Sequence, residues 1–246
     1  MWVVIRSMDI PVYVGIMFTI LIFLTLWSHA KTMFTDPGAV PRTARPLVTS
    51  RDDEEERTVP ICARCNAFKP IRSHHCRICG RCVIRMDHHC PWVNNCVGAG
   101  NQKHFLLFLV YALVASIYIL ILMIYHFVLC LIDTSCEDFT ELTVNLVRVV
   151  LVLAFAAALF TFSMLMNQAE GIITGVGTVD KLQRGRKKGR IRGKPSDYAP
   201  IPWEDVVGGG SILLWFIPTN PHFKKRARVF GYTNVGPSQR EDYEEI

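Results

Sequence analysis

The chain has 246 residues, 50% of them hydrophobic, and carries 27 Lys and Arg against 21 Asp and Glu, a formal net charge of +6. Its mean hydropathy is positive, and the apolar residues are gathered into three long runs without Asp, Glu, Lys or Arg. Buried helices of soluble proteins are usually shorter and charged on one face, so an ordinary soluble core is excluded.

Residues 1–9 precede the first run, Ile10–Ala30, which is flanked by Asp9 and Lys31. About 20 apolar residues at ~1.5 Å rise cross a ~30 Å hydrocarbon core, so this run is expected to span a membrane. It is longer than a signal-peptide core and leads directly into "DPG" (Asp36–Gly38), which favours a retained span. The stretch "TDPGAVPRTARP" has three prolines and a glycine and reads as a non-helical exit. "RDDEEER" (Arg51–Arg57) reads as a solvated linker. The second run, His104–Ile132, lies between Lys103 and Asp133, and the third, Val149–Ala169, between Arg148 and Glu170. The acidic connector "DTSCEDFTEL" (Asp133–Leu142) joins them. Beyond Glu170, "KLQRGRKKGRIRGK" (Lys181–Lys194) carries eight basic residues and is read as lying on anionic lipid headgroups, since no aromatics are interleaved for stacking on bases. "PWEDVVGGGSILLWFIP" (Pro202–Pro218) is apolar but too short and glycine-rich to span, and reads as an interfacial or re-entrant element. The chain ends "EDYEEI", a candidate short linear motif.

Basic residues set the expected topology. Of the 27 Lys and Arg, 12 lie in Lys31–Lys103 and 13 follow Glu170, while the connector has none. Counting positive charges therefore puts 31–103 and 170–246 in the cytosol, with 1–9 and 133–148 on the opposite side. Seven of the nine cysteines fall in Cys62–Cys96, on the cytosolic side, where disulfides rarely persist; the cluster reads as metal-binding or catalytic. Cys130 and Cys136 lie at the other face, where pairing is open to them.

Between Cys62 and Cys96 stand seven cysteines (62, 65, 76, 79, 82, 90 and 96) and four histidines (74, 75, 88 and 89). So small a segment with few large apolar residues needs a staple, and the Cys-x2-Cys pairs are zinc knuckles. Two tetrahedral zinc ions take eight ligands of the eleven candidates. Neighbouring histidines seldom serve one ion, so one of each pair is expected to be spare. Two Cys3His sites would use six of the seven thiols, and spacing alone does not say which is left. Cys90 is the best candidate, because Asp87 and His88 stand just before it: an imidazole takes the thiol proton and a carboxylate orients the imidazole. The rival arrangement is an irregular cluster in which Cys90 binds metal. Cys90 lies about a dozen residues before the second span. A free thiolate there could meet the thioester of a fatty acyl-CoA whose chain lies among the helices, each buried methylene contributing about 0.8 kcal/mol. Passing the acyl group to a thiol of a protein at the same surface would complete a two-step exchange.

The run Cys62-x2-Cys65, His75-Cys76-x2-Cys79-x2-Cys82, Asp87-His88-His89-Cys90, Cys96 and "NQKHF" (Asn101–Phe105) resembles the DHHC cysteine-rich domain of protein S-palmitoyltransferases, and "DPG" matches a further family motif. The wording "DHHCPWVNNCVG" is similar to the Golgi-associated subgroup. The resemblance covers roughly 10–180. It implies an α-helical integral membrane protein, a transmembrane helix bundle with a cytosolic cysteine-rich domain (62–103) holding two structural zinc ions. One zinc would take Cys62, Cys65, His75 and Cys82, the other Cys76, Cys79, His89 and Cys96. His74 would be spare, and Asp87 and His88 would activate Cys90, the autoacylated nucleophile. It further implies long-chain acyl-CoA as co-substrate, membrane-proximal cysteines of other proteins as acceptors, and a Golgi, ER or plasma membrane.

Three departures stand out. Family members usually have four spans, two of them before the cysteine-rich domain, where one is visible here; this reads as an incomplete or shortened chain. A motif usually Thr-Thr-x-Glu is degenerate as "GTVD", keeping Thr178 and Asp180. A C-terminal asparagine common in the family corresponds to Pro202. The alternative function is a non-catalytic membrane adaptor using the zinc module as a binding face. A nucleic-acid zinc finger is not supported, because the spacing is not that of a helix-presenting finger and membrane runs flank it.

Overall fold

The computed structural model describes residues 11–47, 59–132, 141–186 and 199–233. Residues 1–9, the Arg51–Arg57 charge run, the acidic connector with Cys136, most of the basic run and the acidic end lie outside them, as does the side chain of Cys130. Three long helices carry the apolar runs: α1 (Val12–Phe34), α2 (Gln102–Ile132) and α3 (Glu141–Thr174). Each contains a segment long and apolar enough to cross a membrane. The chain is an α-helical integral membrane protein with a cysteine-rich module. α1 and α3 run past the charge-free stretches that announce them. Helical hydrogen bonding does not stop where a charge appears; α1 stops before Asp36-Pro37, where proline offers no N–H, and α3 at Gly175, whose φ of +66° fits a left-handed cap.

The chain divides into two compact units, one of Met1–His29 with Phe105–Ala169, the other of Ala30–His104 with Glu170–Ile246. The first is helical. Large apolar side chains point outward along all three helices, among them Phe23, Leu26, Ile121, Ile124, Val152 and Phe160. That pattern suits lipid as the surrounding medium. Thr19, Ser116 and Thr161 turn their hydroxyls back onto their own helices, to the Gly15 (2.8 Å), Ala112 (2.8 Å) and Ala157 (2.7 Å) carbonyls, and so need no water. The Tyr118 hydroxyl donates to the Val14 carbonyl at 2.9 Å, and its ring stacks on Phe18.

The second unit is built on three two-stranded antiparallel ribbons: β1 (Ile61–Cys62) with β2 (Ala67–Phe68), β3 (Ser73–Cys76) with β4 (Arg81–Ile84), and β5 (His88–Cys90) with β6 (Asn95–Val97). A one-turn 3₁₀ helix, Pro91–Val93, joins the last pair. The Asp36–Val40 segment lines up beside β4, with Val40 N–H on the Cys82 carbonyl and Ile84 N–H on the Gly38 carbonyl, both at 2.9 Å. That approach requires glycine at 98 and 100, where a Cβ would strike the backbone oxygens of Pro37 and Asp36. After α3 come α4 (Thr178–Arg186), α5 (Glu204–Val207), α6 (Ile212–Trp215) and α7 (Arg226–Phe230). A small apolar core joins Ile84 and Ala99 to Ala44, Val229, Phe230 and Tyr232.

The apolar 202–218 element contains two short helices, α5 and α6. Its end is fixed by Lys103, only 2% exposed, whose ammonium donates to the Leu214 and Thr219 carbonyls at 2.9 Å each. Lys31 reaches Asn220 Oδ1 at 3.2 Å. Replacing Lys103 by Met strands those carbonyls. The expected result is a loss of ~1–3 kcal/mol, read as a lower unfolding temperature and new protease cleavage near Leu214–Thr219.

Candidate functional site

The turns that carry the cysteines repeat every fourteen residues. Cys62-x2-Cys65 is followed by Asn66 at φ +47°, and Cys76-x2-Cys79 by Gly80 at φ +66°. Cys90-x2-Val93 is followed by Asn94 at φ +45°. Residues in this left-handed region turn the chain sharply; glycine adopts it freely and asparagine more readily than most. The turn backbone closes by N–H bonds, from Asn66 to the Cys62 carbonyl (2.8 Å) and from Gly80 to Cys76 (3.0 Å). In the third turn Asn94 N–H bonds the Pro91 carbonyl at 3.2 Å. In the second turn the Cys79 N–H also donates to Cys76 Sγ at 3.4 Å, and at the first sulfur of each turn the backbone N–H groups two and three residues on favour the thiolate.

Each of the first two turns meets the ribbon that follows it. His75 lies opposite Cys82 in the β3–β4 register, and His89 opposite Cys96 in β5–β6. Two quartets result, Cys62, Cys65, His75 and Cys82, and Cys76, Cys79, His89 and Cys96, with each set of donor atoms within 4.8 Å of one another. Every member of the second lies fourteen positions after its counterpart in the first. In the first, His75 Nδ1 is 3.7, 3.2 and 4.0 Å from the Cys62, Cys65 and Cys82 sulfurs, and Cys65 Sγ is 3.8 Å from Cys82 Sγ. In the second, His89 Nδ1 is 3.7, 3.4 and 3.7 Å from Cys76, Cys79 and Cys96, with Cys79 and Cys96 3.5 Å apart. A tetrahedral zinc with ordinary bond lengths puts its ligands about 3.6 Å (S to N) and about 3.8 Å (S to S) apart, so both quartets fit that ion. Burial and the adjacent thiols push Cys82 and Cys96 up from the usual thiol range. A dication at the centre reverses that crowding of like charge.

The third turn has no such completion. Val93, fully buried, stands where Cys65 and Cys79 stand in the others. Fourteen residues beyond His89 and Cys96 come Lys103 and Val110, neither a zinc ligand of this kind. Cys90 therefore keeps the turn and its N–H donors but belongs to neither quartet. Strand alternation sorts the histidines: along β5, His89 faces its quartet while His88 and Cys90 share the other face.

On that face His88 Nδ1–H donates to Asp87 Oδ2 at 2.8 Å, and Asp87 Oδ1 accepts the Thr178 N–H at 2.8 Å. Burial works against the Asp87 carboxylate, but hydrogen bonds from His88 and Thr178 outweigh it and hold it at about 2. Burial likewise disfavours the His88 imidazolium, yet the Asp87 bond and the Cys90 thiol raise it to about 9. Cys90 is 5% exposed; burial would raise it, but His88 and the Val93 and Trp92 N–H groups bring it below the usual thiol range.

Thr178 and Asp180, the remnant of the degenerate motif, are both engaged. Thr178 opens α4 on Asp87, and Asp180, in the same first turn, accepts from His74 Nε2 at 2.7 Å, both side chains being buried. His74 occupies in the first repeat the place of His88 in the second. Pro202 does no more here than accept the Asp205 N–H at the start of α5. Sequence reasoning left Thr178 and Asp180 without a job; a Thr-x-Asp start to a helix after a glycine stop was the available signal.

Comparison with known proteins follows the same residues. A family model described as DHHC palmitoyltransferase matches 55–185. Palmitoyltransferase ZDHHC3-A of Danio rerio is 37% identical over 212 residues, 83% of this chain and 65% of its own. Palmitoyltransferase ZDHHC3 of Homo sapiens is 39% identical over 181 residues, 71% and 60% respectively. Probable protein S-acyltransferase 13 of Arabidopsis thaliana is 37% identical over 245 residues, 91% and 78%. The chain spans less than two thirds of the length of the two vertebrate relatives.

Two expectations follow. Because β3 contributes to both quartets, His75 to the first and Cys76 to the second, Cys79→Ser should reduce bound zinc from two ions per chain to one or fewer, by metal analysis of the purified protein. His88→Ala leaves burial less opposed at Cys90, so its thiol rises and iodoacetamide alkylation at pH 7 should fall about tenfold, recovering only in alkaline solution. The stabilisation His88 draws from its partners is fully present below its ordinary 6.5 and fades as the pH rises through about 9.

Proposed function

The chain belongs to the DHHC palmitoyltransferase family, and from that premise we propose that it is a protein S-acyltransferase moving a long-chain fatty acyl group from acyl-CoA to cysteine thiols of membrane-associated proteins. The observation that carries this reading is the unligated thiol of Cys90 beside the Asp87–His88 pair, next to two quartets suited to zinc. Zinc, held by Cys62, Cys65, His75 and Cys82 and by Cys76, Cys79, His89 and Cys96, would supply rigidity rather than chemistry.

In the first half-reaction the Cys90 thiolate attacks the thioester carbonyl of acyl-CoA. A new C–S bond forms at Cys90, the CoA sulfur leaves, and His88 hands it the proton taken from Cys90. In the second, His88 accepts the proton of the acceptor thiol, that sulfur attacks acyl-Cys90, and the Cys90 thiolate leaves. Asp87 keeps the imidazole in one tautomer through Nδ1, so that the bond between His88 and the Cys90 sulfur carries these transfers. Thr178 holds Asp87 through its N–H and is a positioning residue in this scheme. The module and the tail face the cytosol, as the basic residues argue, and a Golgi membrane suits the likeness of "DHHCPWVNNCVG" to that subgroup.

Cys90→Ser tests the assignment. The wild-type chain in nanodiscs with palmitoyl-CoA should acquire a hydroxylamine-sensitive acyl adduct; the variant should lose it, more than a hundredfold down, while keeping two zinc ions. Loss of a zinc ion in the variant would make Cys90 a ligand. A wild-type chain that binds protein partners but never takes up acyl label would instead be an adaptor.

A further inference from the structure

The strand paired with the nucleophile's is bonded to the end of a membrane helix, and one side chain makes most of that joint. An α-helix ends with backbone carbonyls that have no intrahelical partner, and at a membrane exit they need one. At the end of α1 the Asn95 side-chain amide donates to the carbonyls of Thr32 (3.2 Å), Met33 (3.0 Å) and Thr35 (3.0 Å). Its own oxygen accepts the Cys96 N–H at 2.9 Å, which fixes the amide's orientation. Asn101 adds a second bond to the Thr32 carbonyl at 3.1 Å. Asn95 is buried, and in the β5–β6 register it is the cross-strand partner of Cys90. The equivalent places opposite Cys62 and Cys76 hold Ala67 and Arg81. Ala67 has no polar reach, and Arg81 makes only a 3.7 Å ion pair with Asp36. Only in the third turn does this place cap the helix.

We infer that Asn95 is a positioning residue for acyl transfer, which fixes the place of the Cys90 sulfur by tying β6, the strand paired with its own, to the last turn of α1. This rests on the reading of Cys90 as the acylated nucleophile. The Asp36–Val40 segment also holds β4, and β6 leads on toward α2 at Gln102, but among the described residues it is the Asn95 amide, with Asn101, that bonds the last turn of α1 itself. The acyl chain of the donor is held by lipid or apolar helices, so its thioester stands at a fixed depth. A displacement of about 1 Å at such an encounter can cost on the order of a hundredfold in rate. A small water-soluble electrophile has no depth requirement, and its reaction with Cys90 does not depend on the joint.

The experiment compares two reactions of one thiol, on the full chain in nanodiscs, in wild type and in Asn95→Asp, which keeps the acceptor but removes the donors. Expected are two zinc ions per chain, an iodoacetamide rate and pH profile within twofold of wild type, and palmitoyl-CoA autoacylation slowed tenfold or more in kcat with KM little changed. Asn95→Ala, which removes the amide without adding charge, should behave alike. Autoacylation unchanged in both variants overturns the proposal. So does a parallel fall in alkylation and acylation, or loss of zinc in both variants, either of which makes Asn95 a fold residue only. A wild-type chain that alkylates at Cys90 but forms no acyl adduct would instead sink the acyltransferase reading.

Discussion

Two Cys/His quartets share one ribbon, and the rest of the cysteine-rich unit depends on that sharing. Along β3, His75 turns to the first quartet while Cys76, the next residue, begins the second. Neither can form without the register that places His75 across from Cys82, and that register also sends β4 into its contact with the Asp36–Val40 segment. With little apolar core to hold it, the unit relies on ligand geometry where larger domains rely on burial. The same period then runs one turn further. At Cys90 the knuckle forms again, but a valine and the start of a helix replace the ligands that would complete it. On the proposed reading, the thiolate-favouring turn that would serve metal binding in the first two copies would serve reactivity in the third.

Around this repeat, polar groups are used to fix places where charge or backbone is hidden. Asp87 takes bonds from both His88 and the first N–H of α4, so the segment following the third apolar helix completes the carboxylate's shell. His74 and Asp180 bind the same turn of α4 from the first repeat. Lys103 holds the 214–219 segment through carbonyls. The reactive face is thus assembled from segments far apart in sequence.

Much of this was legible beforehand, for identifiable reasons. Helices that meet lipid need long uncharged stretches, so all three apolar runs declare themselves, although their ends do not. The histidine pairs raise a question that ligand counting answers only in part: one of each is spare. Which one follows from strand alternation, and that needs the ribbon register. The fourteen-residue period was readable in "SHHCRICGRC" and "DHHCPWVNNC" (Ser73–Cys82 and Asp87–Cys96), and would have marked Cys90 as a knuckle without a second thiol. Asn95 could not be read in this way. Its role is contact with backbone carbonyls, and such contacts leave no pattern in side-chain types.

The central claim is that six of the seven clustered thiols are committed to metal and that Cys90 alone is free. It is tested most directly by alkylating the folded, metal-loaded protein with iodoacetamide and mapping the peptides of Cys62–Cys96 by mass spectrometry, before and after a chelator in denaturant. The account predicts modification at Cys90 alone in the folded protein and at all seven once metal is removed. A Cys90 as protected as its neighbours, or a second cysteine of the cluster modified alongside it, would contradict it.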